Sequence, residues 1–125
     1  MARSEARQLV RGTVIHGDHR GRELGFPTAN VRLGEHAGDV AFGVYAGRVD
    51  GRAAAISVGV RPSFGEGLEP LLEAHILDFS GDLYGSEIVV ELVQLLRPEL
   101  AFESVDELVE QIHADIADVR AALAV

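Results

Sequence analysis

Val40-Ala41-Phe42-Gly43-Val44-Tyr45-Ala46-Gly47-Arg48-Val49, then Asp50-Gly51, then the run Ala53 to Val60: this stretch decides the fold. Asp-Gly between two extended runs signals a two-residue hairpin, because both central residues of such a turn need positive φ. The flanking runs therefore read as an antiparallel pair. Gly43 and Gly47 interrupt the first run, as glycines do at bulges and barrel corners.

Working outward, Gln8 to Ile15 reads as a strand, carrying Leu9, Val10, Val14 and Ile15. Thr28 to Leu33 reads as a short one, and Leu71 to Phe79 and Glu87 to Leu96 as two more. The polar segment Gly34 to Asp39, the turn-rich Arg61 to Gly67 and Ser80-Gly81-Asp82 separate them. The period changes at Ser104. Ser104 and Glu107 form a capping box, and Val105, Leu108, Val109, Ile112, Ile116, Val119 and Leu123 mark an amphipathic helix over 104–124. Six closely spaced strands and one helix predict a mainly β domain. Its form is a closed or nearly closed antiparallel barrel with the helix packed outside. The expected unit is a single domain over 1–125, with residues 1–7 as a disordered tail.

The chain has 125 residues and a net charge of −9. That disfavours nucleic-acid binding, which needs a basic surface. There is no cysteine, so disulfides and zinc–thiolate sites are excluded. No apolar run approaches the ~20 residues of a membrane span, and Met1 to Arg7 lacks a secretory apolar core. A cytoplasmic protein without membrane contact is expected. All 11 basic residues are arginine. A Walker lysine, a Schiff-base lysine and a protein-kinase lysine are therefore impossible.

Two segments carry candidate chemistry. Gly17-Asp18-His19-Arg20-Gly21-Arg22-Glu23-Leu24-Gly25-Phe26-Pro27-Thr28-Ala29-Asn30 combines glycines that let backbone amides approach an anion, two arginines, and two oxygen ligands suited to a hard cation such as Mg²⁺. Extended backbone after Pro27 puts Thr28 and Asn30 on one side and Ala29 on the other. The alternative is an ordinary inter-strand turn. In Leu71 to Leu77, Leu72, Ala74 and Ile76 share one face, and Glu73 and His75 share the other with Leu71 and Leu77. A carboxylate shielded among those neighbours gains basicity. The alternative is a solvent-facing Glu–His pair on a half-buried strand. His36 and His113 read as surface residues.

Five ordered segments then resemble the riboflavin kinase (flavokinase) family. They are the pattern from Gly12 through Gly17, Arg20-Gly21-Arg22 and Gly25-Phe26-Pro27-Thr28-Ala29-Asn30; Gly43-Val44-Tyr45-Ala46; Ser57-Val58-Gly59 with Pro62-Ser63-Phe64-Gly65; Glu73 to Phe79; and Asp82-Leu83-Tyr84-Gly85 followed by Leu96-Arg97-Pro98-Glu99 and Phe102. The resemblance runs from about Val10 to the end, and matches the C-terminal kinase module of bacterial bifunctional riboflavin kinase/FAD synthetases. It implies a six-stranded Greek-key barrel and transfer of the ATP γ-phosphoryl group to the ribityl 5′-hydroxyl of riboflavin.

By the same resemblance, Gly17, Arg20, Gly21 and Arg22 would cover the ATP phosphates, and Thr28 and Asn30 would hold Mg²⁺. Glu73 would be the catalytic base. Ile76, Asp78 and Tyr84 would lie near the nucleotide, and Arg97 and Phe102 near the flavin. Two departures stand out. Val40-Ala41-Phe42 replaces the Leu-Pro common before Gly-Val-Tyr, and Leu100 stands where a basic residue is common. Bacterial relatives usually carry an N-terminal FMN adenylyltransferase module, which nothing in the chain encodes, so either a free-standing kinase or an excised C-terminal module is expected; a monomer is expected, with FMN adenylylation left to a separate or fused partner. The competing expectation is a flavin- or nucleotide-binding module without catalysis.

Overall fold

The structure is a computed structural model that describes residues 8–16, 25–36, 38–62 and 68–125. It contains strands β1 (Gln8–Ile15), β2 (Ala29–Arg32), β3 (Gly43–Val49), β4 (Arg52–Pro62), β5 (Leu68–Ile76) and β6 (Glu87–Arg97), then helix α1 (Val105–Leu123). Every neighbouring pair is antiparallel, and the strands close in the order β1-β2-β5-β4-β3-β6. Closure leaves no unpaired edge. The expected barrel with an outer helix is what forms. Residues 1–7 and Gly17 to Arg22 lie outside the described residues.

The hairpin that decided the fold behaves as its chemistry requires. Asp50 and Gly51 have φ of 48° and 89°, and Val49 pairs with Arg52 directly across the turn. The unfavourable left-handed backbone of Asp50 is offset by its side chain, whose Oδ1 accepts from Val89 N at 2.9 Å on β6. Gly47 sits at a register shift between β3 and β6, where a Cβ would run into the Glu91 carbonyl and Ile56 Cδ1. The glycine is there because the backbones come too close for any side chain.

Alternation splits β3, β4 and β6 between two cores. Val10, Val31, Ile56, Val58, Leu72, Ala74, Ile88 and Val90 fill the barrel. On the outside, Ala46, Ala53 and Ala55 present a low surface against which Ile116, Val119 and Leu123 of α1 pack, with Leu77 and Leu96 alongside. Ser104 Oγ accepts from Glu107 N at 3.1 Å, as a capping box predicts. The reciprocal bond differs: Glu107 Oε1 accepts from Glu103 N, one residue before the cap.

Several boundaries move. β3 begins at Gly43 rather than Val40. β5 runs from Leu68 to Ile76 rather than 71 to 79, because Leu77-Asp78 turns, with Asp78 at φ 55°. Val105, placed on the apolar stripe by its spacing, is exposed, and Asp115 is buried in that stripe instead.

Candidate active site

Two cavities open on the barrel wall and share Thr28. The smaller lies between the end of β1, the Pro27–Asn30 segment and the loop after β5. Ile76, Phe79, Asp82 and Tyr84 line it, as Asn30 does. The larger encloses about 250 Å³ between β4, β5, the segment after β6 and α1. One water in the liquid occupies about 30 Å³, so the larger cavity is sized for an organic ring system.

Strand pairing brings the sequence-predicted residues together. Asn30 on β2 stands opposite Glu73 on β5, and Glu73 stands opposite Ser57 on β4. Glu73 thus sits mid-wall, on the outer face, and lines the larger cavity. Asn30 is only 5% exposed. Its Nδ2 donates to Thr28 Oγ1 over a long 3.5 Å, and its Oδ1 has no hydrogen-bond partner among the described residues. A buried, unsatisfied oxygen costs about 1–3 kcal/mol. An oxygen left so beside a hydroxyl, where two cavities meet, suits a hard cation. Among the described residues, no three His, Asp or Glu side chains gather as an ion site. An ion here would rest on these neutral oxygens and on ligand oxygens, the habit of Mg²⁺ in phosphate sites.

Aromatic rings set the two ends. His16 stacks on Tyr84 at 3.7 Å and 13°, at the smaller cavity. Asp82 Oδ1 accepts from Tyr84 N at 2.9 Å and fixes that loop, and the Arg52 guanidinium lies 5.0 Å from the Phe79 ring centroid. At the larger cavity, Phe26 meets His75 edge-on at 5.6 Å and His113 at 5.4 Å. It thereby ties the segment leading to Thr28 to both β5 and α1. Burial lowers the pKa of His75 below its ordinary value.

Arg97 and Phe102 both line the larger cavity. Arg97 is paired with Asp115, whose hydrogen bonds raise the guanidinium pKa against partial burial. Ser57 Oγ donates to Glu99 Oε2 at 2.7 Å, tying the segment after β6 to β4 at the larger cavity. Asp78 stands apart from both linings, its carboxylate receiving Arg120 Nη2 at 3.1 and 3.2 Å.

Ser57, Glu99, Asp115 and the Phe26 cluster were not singled out as site residues from sequence. Asp115 had a readable signal: it lies three residues after Ile112 and four before Val119, inside the apolar stripe. The ring contacts of Phe26 join three separate elements and have no local signal.

A family model described as "Flavokinase: Riboflavin kinase" matches residues 5–123. A bifunctional riboflavin kinase/FMN adenylyltransferase of Listeria monocytogenes is 42% identical over 130 residues, taking in 96% of this chain and 41% of the relative. One from Escherichia coli K12 is 43% identical over 111 residues, 85% of this chain and 35% of the relative. The chain thus spans about two fifths of the length of these relatives. Among solved structures, one described as a macrolide-efflux protein from Streptococcus pneumoniae superposes with a TM-score of 0.79 at 39% identity, over 90% of this chain and 38% of that one. A riboflavin kinase from Trypanosoma brucei superposes with a TM-score of 0.69 at 24% identity, over 97% of this chain and 82% of that one, and shares the fold.

Proposed function

The chain belongs to the riboflavin kinase family, and on that premise we propose that it transfers the γ-phosphoryl group of ATP to the ribityl 5′-hydroxyl of riboflavin, giving FMN and ADP. The observation that carries this is the meeting of two cavities at Thr28, with Asn30, whose oxygen is orphaned, on one lining and its strand partner Glu73 on the other. Phosphoryl transfer is mainly a matter of positioning and charge stabilisation, and this is a positioning arrangement.

In this reading ATP takes the smaller cavity, with Ile76 and Tyr84 beside the nucleotide, while Asp78, in the turn after β5 and paired with Arg120, is outside the lining. Gly17, Arg20, Gly21 and Arg22 cover its phosphates. Riboflavin takes the larger cavity, against Arg97 and Phe102. Thr28 and Asn30 would hold Mg²⁺ through their side-chain oxygens, and the ion would neutralise charge on the phosphate oxygens. Glu73 holds the 5′-hydroxyl by its proton and accepts that proton at its carboxylate as the oxygen attacks phosphorus. The segment pinned by Ser57 and Glu99 keeps water from the acceptor. The whole acts as a single domain and a monomer in the cytoplasm, and its FMN passes to an FMN adenylyltransferase, fused or separate. Among the described residues no helix is long and apolar enough to cross a membrane.

Incubation with riboflavin and Mg-ATP, with FMN followed by chromatography, tests the reading. Steady FMN formation is expected. Riboflavin binding without FMN at saturating substrates would overturn it in favour of a binding module.

A further inference from the structure

Asp115 is an acid in the middle of an apolar helix face, with a side chain only 8% exposed, and the larger cavity is where it emerges. Its Oδ1 accepts from Arg97 Nε at 2.8 Å and its Oδ2 from Arg97 Nη2 at 2.8 Å. Gln111 Nε2 donates to the same Oδ1 at 3.0 Å and braces the carboxylate from one turn earlier. Arg97 Nη1 donates to the Pro98 carbonyl at 2.9 Å.

A guanidinium has five N–H donors in a rigid plane. Asp115 takes the side-on pair, Nε–H with one Nη2–H, and Pro98 takes one Nη1–H. One N–H on each Nη remains without a partner among the described residues. Both belong to a side chain that lines the larger cavity. The ion pair is neutral as a unit, so what remains is a two-donor edge with its charge already balanced. Such donors can hold a neutral carbonyl oxygen without adding net charge to the cavity wall.

We propose that Asp115 is a positioning residue for the acceptor: by gripping one edge of Arg97 from α1, it presents the other edge to a carbonyl of the riboflavin ring system. The proposal rests on the larger cavity being the riboflavin cavity. It also gives α1 a part in substrate recognition, beyond covering the barrel. Without Asp115 the side chain of Arg97 would lose the two bonds that fix its plane and keep only Pro98 and the more distant charges of Glu99 and Asp118.

Riboflavin binding by flavin-fluorescence quenching, with the KM values for riboflavin and ATP, tests this on the full chain. Asp115→Asn keeps size and polarity but loses charge and one acceptor. It is expected to weaken riboflavin binding about tenfold, the scale of one charge-assisted bidentate contact, with the KM for ATP unchanged within about twofold. Arg97→Ala should weaken riboflavin similarly, and the double variant should be no worse than Arg97→Ala alone, because one residue acts through the other. A helix anchor with no part in recognition would instead lower the melting temperature and leave riboflavin affinity alone. Should Asp115→Asn fail to fold, Asp115→Glu keeps the ion pair but displaces the fork by a methylene. It should still weaken riboflavin several-fold while the melting temperature holds. Unchanged riboflavin affinity in whichever variant folds, or additive losses in the double variant, overturns the proposal. Failure of the unmutated chain to bind riboflavin would instead overturn the reading of the cavity.

Discussion

Glu73 and Asn30 face each other across one strand pair, and each makes a separate prediction. Glu73→Gln keeps the shape but cannot take a proton. General base catalysis contributes about 10²–10⁴-fold, so FMN formation should fall at least about 100-fold while calorimetry still shows ATP binding. Near-normal turnover would remove Glu73 from the base role. Asn30→Leu works the other way on stability. The Asn30 oxygen is buried without a partner, so replacing the amide with an apolar group of similar volume should leave the melting temperature unchanged or raise it, by about 1 kcal/mol of stability. Activity should nonetheless collapse. A variant both less stable and still active would mean that Asn30 serves the fold rather than an ion. Both residues were legible in the sequence because strand alternation fixes which side chains share a face. Asn30 showed by its spacing from Thr28, and Glu73 by standing against Leu72, Ala74 and Ile76. What alternation could not show was Ser57, which depends on which strand pairs with which.

The junction of β5, the Phe26 segment and α1 is where single elements become a site. Phe26 meets His75 and His113 edge-on, and the packing around His75 keeps its ring partly from water. Its pKa is lowered from 6.5 by burial. The unfolded chain therefore binds a proton at this position before the folded chain does. The contribution is fully present above pH about 6.5 and is lost as pH falls through the folded pKa. Thermal unfolding between pH 8 and 5 should show a decline in melting temperature that His75→Gln makes shallower. An identical pH slope in the variant would mean that other groups account for the decline. The elements themselves were mostly readable: the Asp50-Gly51 hairpin, β1 and the Ser104 cap are local in their chemistry. Strand ends at 43, 68 and 76 were less so, because they are decided by tertiary pairing, such as Pro62 against Leu68, and by the turn at Asp78.

Charge balance is a property of the whole molecule, and here it works against one of the two substrates. The chain carries 20 acidic residues and 11 arginines, a net −9, yet in the proposed reaction it must hold ATP. Among the described residues, the smaller cavity has no arginine on its lining, and Asp82 is there instead. Arg97 is committed to Asp115 at the other cavity, Arg120 to Asp78, Arg48 to Glu91 and Arg32 to Glu69. With no lysine in the chain, the proposed site draws positive charge for the phosphates from Arg20 and Arg22 in the Gly17–Arg22 stretch, which lies outside the described residues; Arg52 stands over Phe79 at the smaller cavity but is not on its lining. Riboflavin is neutral and makes no such demand. Replacing Arg20 and Arg22 together by glutamine should therefore separate the substrates. The KM for ATP should rise about tenfold or more, as expected when charge-assisted phosphate contacts are lost, while riboflavin affinity stays within about twofold. The rise should be smaller at high salt, where screening already weakens the contribution of both arginines. Equal losses for both substrates would show that the stretch supports the barrel as a whole, and that the phosphates are held by backbone amides and the ion instead.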